Sequence, residues 1–201
     1  MRNYLFIISL ALLSVSCGSQ GSKQTDEESS KSPLSITDES TAAFYQKLQS
    51  LCGKSFAGEE VYVKEGRESW AHLPFRMFVT RCDNQEIHIP FHVGENKSRT
   101  WMFIVEDGRL RFRHDHRHED GTPEDLTLYG GYANAKGTPF RQEFPADDYT
   151  VNVHPRSEGS IWVVELAEDM SSFSYQLHHH GELLFHGKFD LTREKIGRAH
   201  V

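Results

Sequence analysis

The sequence has no G-x-S-x-G nucleophile elbow, no H-E-x-x-H pair and no glycine-rich phosphate loop. Those gaps remove the local signatures of elbow-type serine hydrolases, zinc peptidases and nucleotide-binding folds. Its 3 cysteines show no C-x-x-C spacing, so nothing points to a thiolate metal centre. Positive charge is short as well: 22 Lys and Arg stand against 29 Asp and Glu, a formal net charge of −7. No basic patch stands apart from acidic neighbours, which argues against nucleic acid as a partner. The main apolar run, Tyr4 to Leu13, is too short to span a bilayer as a helix. No internal repeat is visible.

The ends carry distinct signals. "MRNYLFIISLALLSVSCGSQ" has a basic start at Arg2, the apolar run, and small residues leading into Cys17. This order resembles a bacterial lipoprotein signal peptide over residues 1–16, although Ser14 stands where leucine is usual and Leu13 lies one position earlier. The resemblance implies that Cys17 carries the lipid, palmitate included. It also implies a protein anchored in the bacterial cell envelope, at the outer membrane, with the face left open. Residues 17–36, rich in Gly, Ser and charge, cannot bury enough surface to fold and read as a flexible tether. Such a tether has a root-mean-square reach of roughly 20–25 Å. One folded domain is expected over 37–192, followed by a tail over 193–201. From 196 the tail, "IGRAHV", matches the translation of a common sequencing-library adapter and is expected to be artefactual, so His200 enters no site.

In an exported chain, the remaining pair Cys52 and Cys82 is expected to form a disulfide. Residues 38–52 set Phe44, Leu48, Leu51 and Cys52 on one helical stripe, with Thr37 or Asp38 as cap and Gly53 at the end. Beyond them the period switches to two. Runs such as "FRMFVTRC", "EIHIPFHV", "TWMFIV", "DLTLYG", "IWVVELA" and "ELLFHGKFDL" are divided by turn residues, "EDGR" (106–109) most clearly and "HHGE" (179–182) plausibly. The expected fold is all-β: an antiparallel barrel, lipocalin-like in general shape, or a sandwich, with one short N-terminal helix. Residues 130–150 break the rhythm and read as a long loop.

The stretch "RFRHDHRHEDG" (111–121) concentrates the chemistry. Even positions from Leu110 and Phe112 continue as His114, His116 and His118, so the histidines are expected inward, with the arginines and Asp115 outward. Same-face neighbours lie roughly 6.6–6.8 Å apart along a strand, so two imidazoles could share an ion while all three could not. Gly108, His114 and His116 also match the opening of the cupin metal motif. That half-resemblance implies a transition metal on His114 and His116, with Asp120 replacing the usual glutamate. Further donors could come from His88, His92, Glu119 or His178–His180. Against this stands the plainer reading, histidines that hydrogen-bond structurally or touch a ligand.

Strand-borne aromatics, among them Trp101, Phe112, Trp162 and Tyr175, suit either a packed core or the lining of an apolar calyx. "SRTW", "HDHRHEDG", "YGG" and "RQEFPAD" together make the chain similar to a family of uncharacterised secreted bacterial proteins. The resemblance spans about Leu51 to Thr192 and implies an exported single domain, with no activity and no residue roles to carry over. The favoured reading is a lipid-anchored lipoprotein whose barrel binds a small apolar or amphipathic ligand. Its site residues would be His114, His116 and His118, with Arg99, Arg141 and Glu143 as secondary candidates. The alternatives are a cupin-like metal protein or enzyme on His114 and His116, and an envelope interaction module. No catalytic residue is assigned, and binding is favoured over catalysis.

Overall fold

The computed structural model describes residues 35–194. Residues 1–34, which include the expected signal peptide, Cys17 and most of the expected tether, and the tail from 195 lie outside the described residues.

A single helix, α1 (Glu39–Gln49), precedes the strands. Asp38 rather than Thr37 caps it, accepting from the Thr41 amide at 2.7 Å, while Thr37 N–H reaches the Gly108 carbonyl at 2.8 Å. The helix is shorter than the expected 38–52: it ends at a Ser50 cap, and Gly53 turns the chain away with φ +78°. Six strands follow: β1 (Ser55–Val63), β2 (Phe75–Phe78), β3 (Glu86–Val93), β4 (Asn96–Glu106), β5 (Arg109–His116) and β6 (Tyr129–Tyr132). Next come β7 (Arg141–Pro145), the short α2 (Asp148–Val153), β8 (Ser160–Leu166), β9 (Ser172–His179) and β10 (Glu182–Asp190).

All 10 strands form one antiparallel sheet in the order β6-β5-β4-β3-β2-β1-β10-β9-β8-β7, curled into a nearly closed barrel. The first and last strands pair with each other, so the remaining gap falls between β6 and β7. Residue type explains how this gap is managed. A Cβ on Gly131 would strike the Pro145 carbonyl, and one on Gly130, which has φ +150°, would strike that of Phe112. Glycine lets the two edges approach, and two backbone bonds of 3.0 Å then bridge them, Asp147 N–H to Gly130 and Asn134 N–H to Glu143. Buried Thr150 of α2 completes the join, its hydroxyl donating to the Gly130 carbonyl and accepting from the Gly130 amide, both at 2.8 Å.

The long loop expected over 130–150 is therefore corrected. It holds the end of β6, all of β7, and the start of α2. "YGGY" has no β-branched residue, β7 is five residues ending in proline, and α2 is shorter than a helix that could stand alone. The strand expected in "DLTLYG" likewise begins only at Tyr129. Two of the tight hairpins, Asp107-Gly108 and His180-Gly181, have positive φ at both central residues, a twist-compatible turn type; the β3–β4 turn has it at Gly94 alone.

Helix α1 seals one end of the barrel. Phe44 and Leu48 are fully buried, with Phe44 6.4 Å from Phe103, and the Tyr45 hydroxyl donates to the Asp83 carbonyl at 3.0 Å. Each such apolar side chain stabilises by about 1.5–3 kcal/mol when buried. The Cys52–Cys82 disulfide, with Cα atoms 6.0 Å apart, ties the end of the helical segment to the β2–β3 turn. Above the helix, Phe103, Phe112, Phe144, Phe173 and Phe189 fill the barrel. Open space is left toward the other end.

Candidate ligand-binding site

Strand alternation carries His114 inward from Leu110 and Phe112, as expected, and the ladder supplies its neighbours. Trp101 of β4 and Tyr129 of β6 pair with His114 from either side, and Arg99 pairs with His116. The Tyr129 hydroxyl lies between the two imidazoles, 3.0 Å from His114 Nδ1 and 3.0 Å from His116 Nε2. Across the barrel, the Tyr175 hydroxyl of β9 is 3.3 Å from His114 Nδ1, and the Tyr175 ring stacks on Trp101 at 4.5 Å. Glu124, from the loop before β6, is 3.7 Å from His116 Nδ1. These contacts make a polar chain, Tyr175–His114–Tyr129–His116–Glu124, set in an aromatic wall.

Its electrostatics follow from enclosure. Burial pushes His114 well below the ordinary histidine range, and the nearby His116 and Arg99 push the same way. His116 is lowered by burial and then by Arg99, with Glu124 and Asp115 opposing. Burial raises both tyrosine phenols, so each keeps its proton. The chain is thus neutral at its centre, with both tyrosine hydroxyls meeting at His114 Nδ1. One of its buried nitrogens, His114 Nε2, has no hydrogen-bond partner among the described residues.

This chain borders a cavity of about 430 Å³ at the end away from α1, within the range of small-molecule sites. Trp70, Phe91, Tyr175, Leu177 and Phe185 supply its apolar wall, and Arg99, His114, His116 and Tyr129 its polar one. A second cavity of about 420 Å³ shares Arg67, Tyr129, Tyr175 and Leu177 with the first and adds Trp162, Arg156, His154 and His179. The two are adjoining chambers of one opening. Arg99 stacks on the Trp70 ring at 4.7 Å and has no ion pair with a carboxylate among the described residues.

Other expected residues fall elsewhere. β5 stops at His116, so His118 lies in the following turn, exposed, and lines a surface groove with Lys97 and Glu119. Asp120 is exposed and accepts from the Thr122 amide and hydroxyl. The set His114, His116 and Asp120 is therefore not assembled. Among the described residues no group of three or more His, Cys, Asp or Glu side chains is placed to hold a metal ion. His88 contacts Glu86, His92 packs on Phe78, and His178 contacts Gln176. Arg141 and Glu143 pair with each other at 2.6 Å on the face of β7 opposite buried Gln142 and Phe144, away from the cavity. Arg113 points outward as expected yet is buried, covered by Asp147 and by the Tyr149 ring.

No family model, curated protein or solved structure matches this chain. The site therefore stands on its geometry alone. The charged loop Glu119–Asp125, which follows the histidines and reads from the sequence as a rim, supplies Glu124. Sequence reasoning missed Trp70, Tyr129, Arg67 and Arg156: Arg67 and Trp70 lie in an irregular segment, Arg156 in a three-residue 3-10 helix, and Tyr129 begins a strand too short to show a period.

Proposed function

We propose that this protein binds a small amphipathic molecule in the open half of its barrel, as a lipoprotein held at the bacterial envelope through Cys17. The observation that supports binding most strongly is the cavity itself: a preformed space with a mainly aromatic wall and convergent polar groups at one side. A barrel made only for packing would fill this end as it fills the other. All 3 tryptophans of the chain, Trp70, Trp101 and Trp162, lie in or against the two chambers. Ligand entry should therefore change intrinsic tryptophan emission. Native mass spectrometry of the protein isolated from an envelope fraction should show an organic adduct, released by solvent extraction and identified in the extract. A bare protein mass, together with emission unchanged across an amphiphile panel, would reject the binding reading.

A further inference from the structure

The charges around the opening are unlike those of the whole molecule. The chain is net acidic, yet the two chambers are bordered by Arg67, Arg99 and Arg156 against a single carboxylate, Glu68. None of the three arginines forms an ion pair among the described residues; Arg81, Arg111, Arg113, Arg117, Arg141 and Arg193 do, while Arg76 and Arg109 elsewhere also do not. Arg99 is the most enclosed of the three. Its guanidinium carbon lies 4.7 Å over the Trp70 ring, and its one hydrogen-bonding partner is the neutral side-chain amide of Asn96, reached by Nη1. A guanidinium fixed on an aromatic face keeps its outer N–H fork free for a planar or tetrahedral oxyanion.

On the same cavity wall as Arg99, His114 is 5% exposed and its Nε2 has no partner among the described residues. A buried donor left unpaired costs about 1–3 kcal/mol, which an acceptor oxygen would recover. Glu124 forms no ion pair with Arg99; its contact is with His116 Nδ1, 3.7 Å away. The apolar remainder of the wall is suited to a hydrocarbon or ring body.

From this arrangement we infer that the ligand is an amphiphile with an oxyanionic head, a carboxylate or a phosphate monoester, held by Arg99 between Trp70 and His114, with Arg67 and Arg156 drawing it to the opening. The inference rests on the binding reading and deepens it. The body enters the aromatic chamber, and the head stays at the arginine-bordered side, where its charge is paired and partly solvated.

The test uses the full chain and four probes with the same tail: dodecanoate, dodecyl phosphate, dodecyl alcohol and dodecylammonium. Tryptophan emission and calorimetry read affinity. At least one of the two anions should bind about tenfold or more tighter than the alcohol, with the ammonium weakest, as expected for a charge-assisted contact. Arg99→Gln should remove that advantage, so that anion and alcohol bind the variant with affinities within about twofold of each other, and circular dichroism melting checks that the variant is folded. Arg99→Lys should keep part of the preference. Preference for dodecanoate would point to free acids, and for the phosphate to a phosphorylated lipid. An alcohol that binds as tightly as both anions, or an anion preference that survives Arg99→Gln, overturns the inference and leaves the calyx standing. If none of the four binds, the inference falls together with the binding reading.

Discussion

Tyr129 joins two imidazoles through one hydroxyl, so removing that oxygen should disturb both. Tyr129→Phe keeps the ring against Trp162, 5.5 Å away, but strips a hydrogen-bond partner from His114 and from His116. We expect a loss of about 1–3 kcal/mol in urea unfolding, from buried groups left unpaired. Gly131→Ala should cost more, about 3 kcal/mol or above, because the new methyl meets backbone rather than a movable side chain. Circular dichroism melting would detect either change, and a Gly131→Ala variant as stable as the parent would show that the β6–β7 join can relax. At this scale the sequence was informative wherever alternation ran unbroken. His114 faces inward because Leu110 and Phe112 do. It failed where the strand stopped, since His118 and Asp120 follow a turn that the period cannot foresee.

Helix α1 is amphipathic enough to read from sequence, and its partner Cys82 is a cysteine within a strand-like run, so the sealed end was legible before the fold was known. Its main fastening can be measured. In the chain-entropy model a disulfide closing a separation of 30 residues stabilises by about 3.5 kcal/mol. The Cys52→Ser/Cys82→Ser variant, or the reduced protein, should unfold at correspondingly lower urea. A difference under about 1 kcal/mol would mean that α1 packing alone holds the end. The opposite end of legibility is the join between β6 and β7. It depends on Thr150, a residue with no motif around it, in a helix of six residues. Thr150→Val preserves shape but leaves the Gly130 amide and carbonyl without their side-chain partner. Hydrogen exchange should speed up in β6 and β7 first, with β3 and β4 unaffected.

Stability of the whole barrel should fall as pH drops through the histidine range. His114 and His116 are held neutral, and His92, His178 and His186 are also lowered, in each case mainly by burial. The unfolded chain protonates these rings near pH 6.5, before the folded one does. Below that value the unfolded state binds more protons, so unfolding free energy decreases as pH falls, by up to about 1.4 kcal/mol per pH unit for fully buried His114 and by less for the partly solvated rings. Carboxylates stabilised by hydrogen bonds, such as Asp38, Asp83 and Glu106, lose their contribution only nearer pH 4 and below. The window between about pH 6.5 and 5 therefore belongs to histidine. Urea midpoints across it should decline, and His114→Gln should flatten the slope. A flat parent profile would contradict the buried, neutral imidazoles.

Strand direction has a consequence for how the molecule is held. β1 starts beside α1, and β10 returns there, so Ser35 by the Gly108 turn and Leu191 by Ser171 both depart from the sealed side. The barrel is a cup suspended by its foot, its rim left clear by both ends of the folded chain. The same geometry means that a tag or a solid support joined at either end should leave the rim accessible.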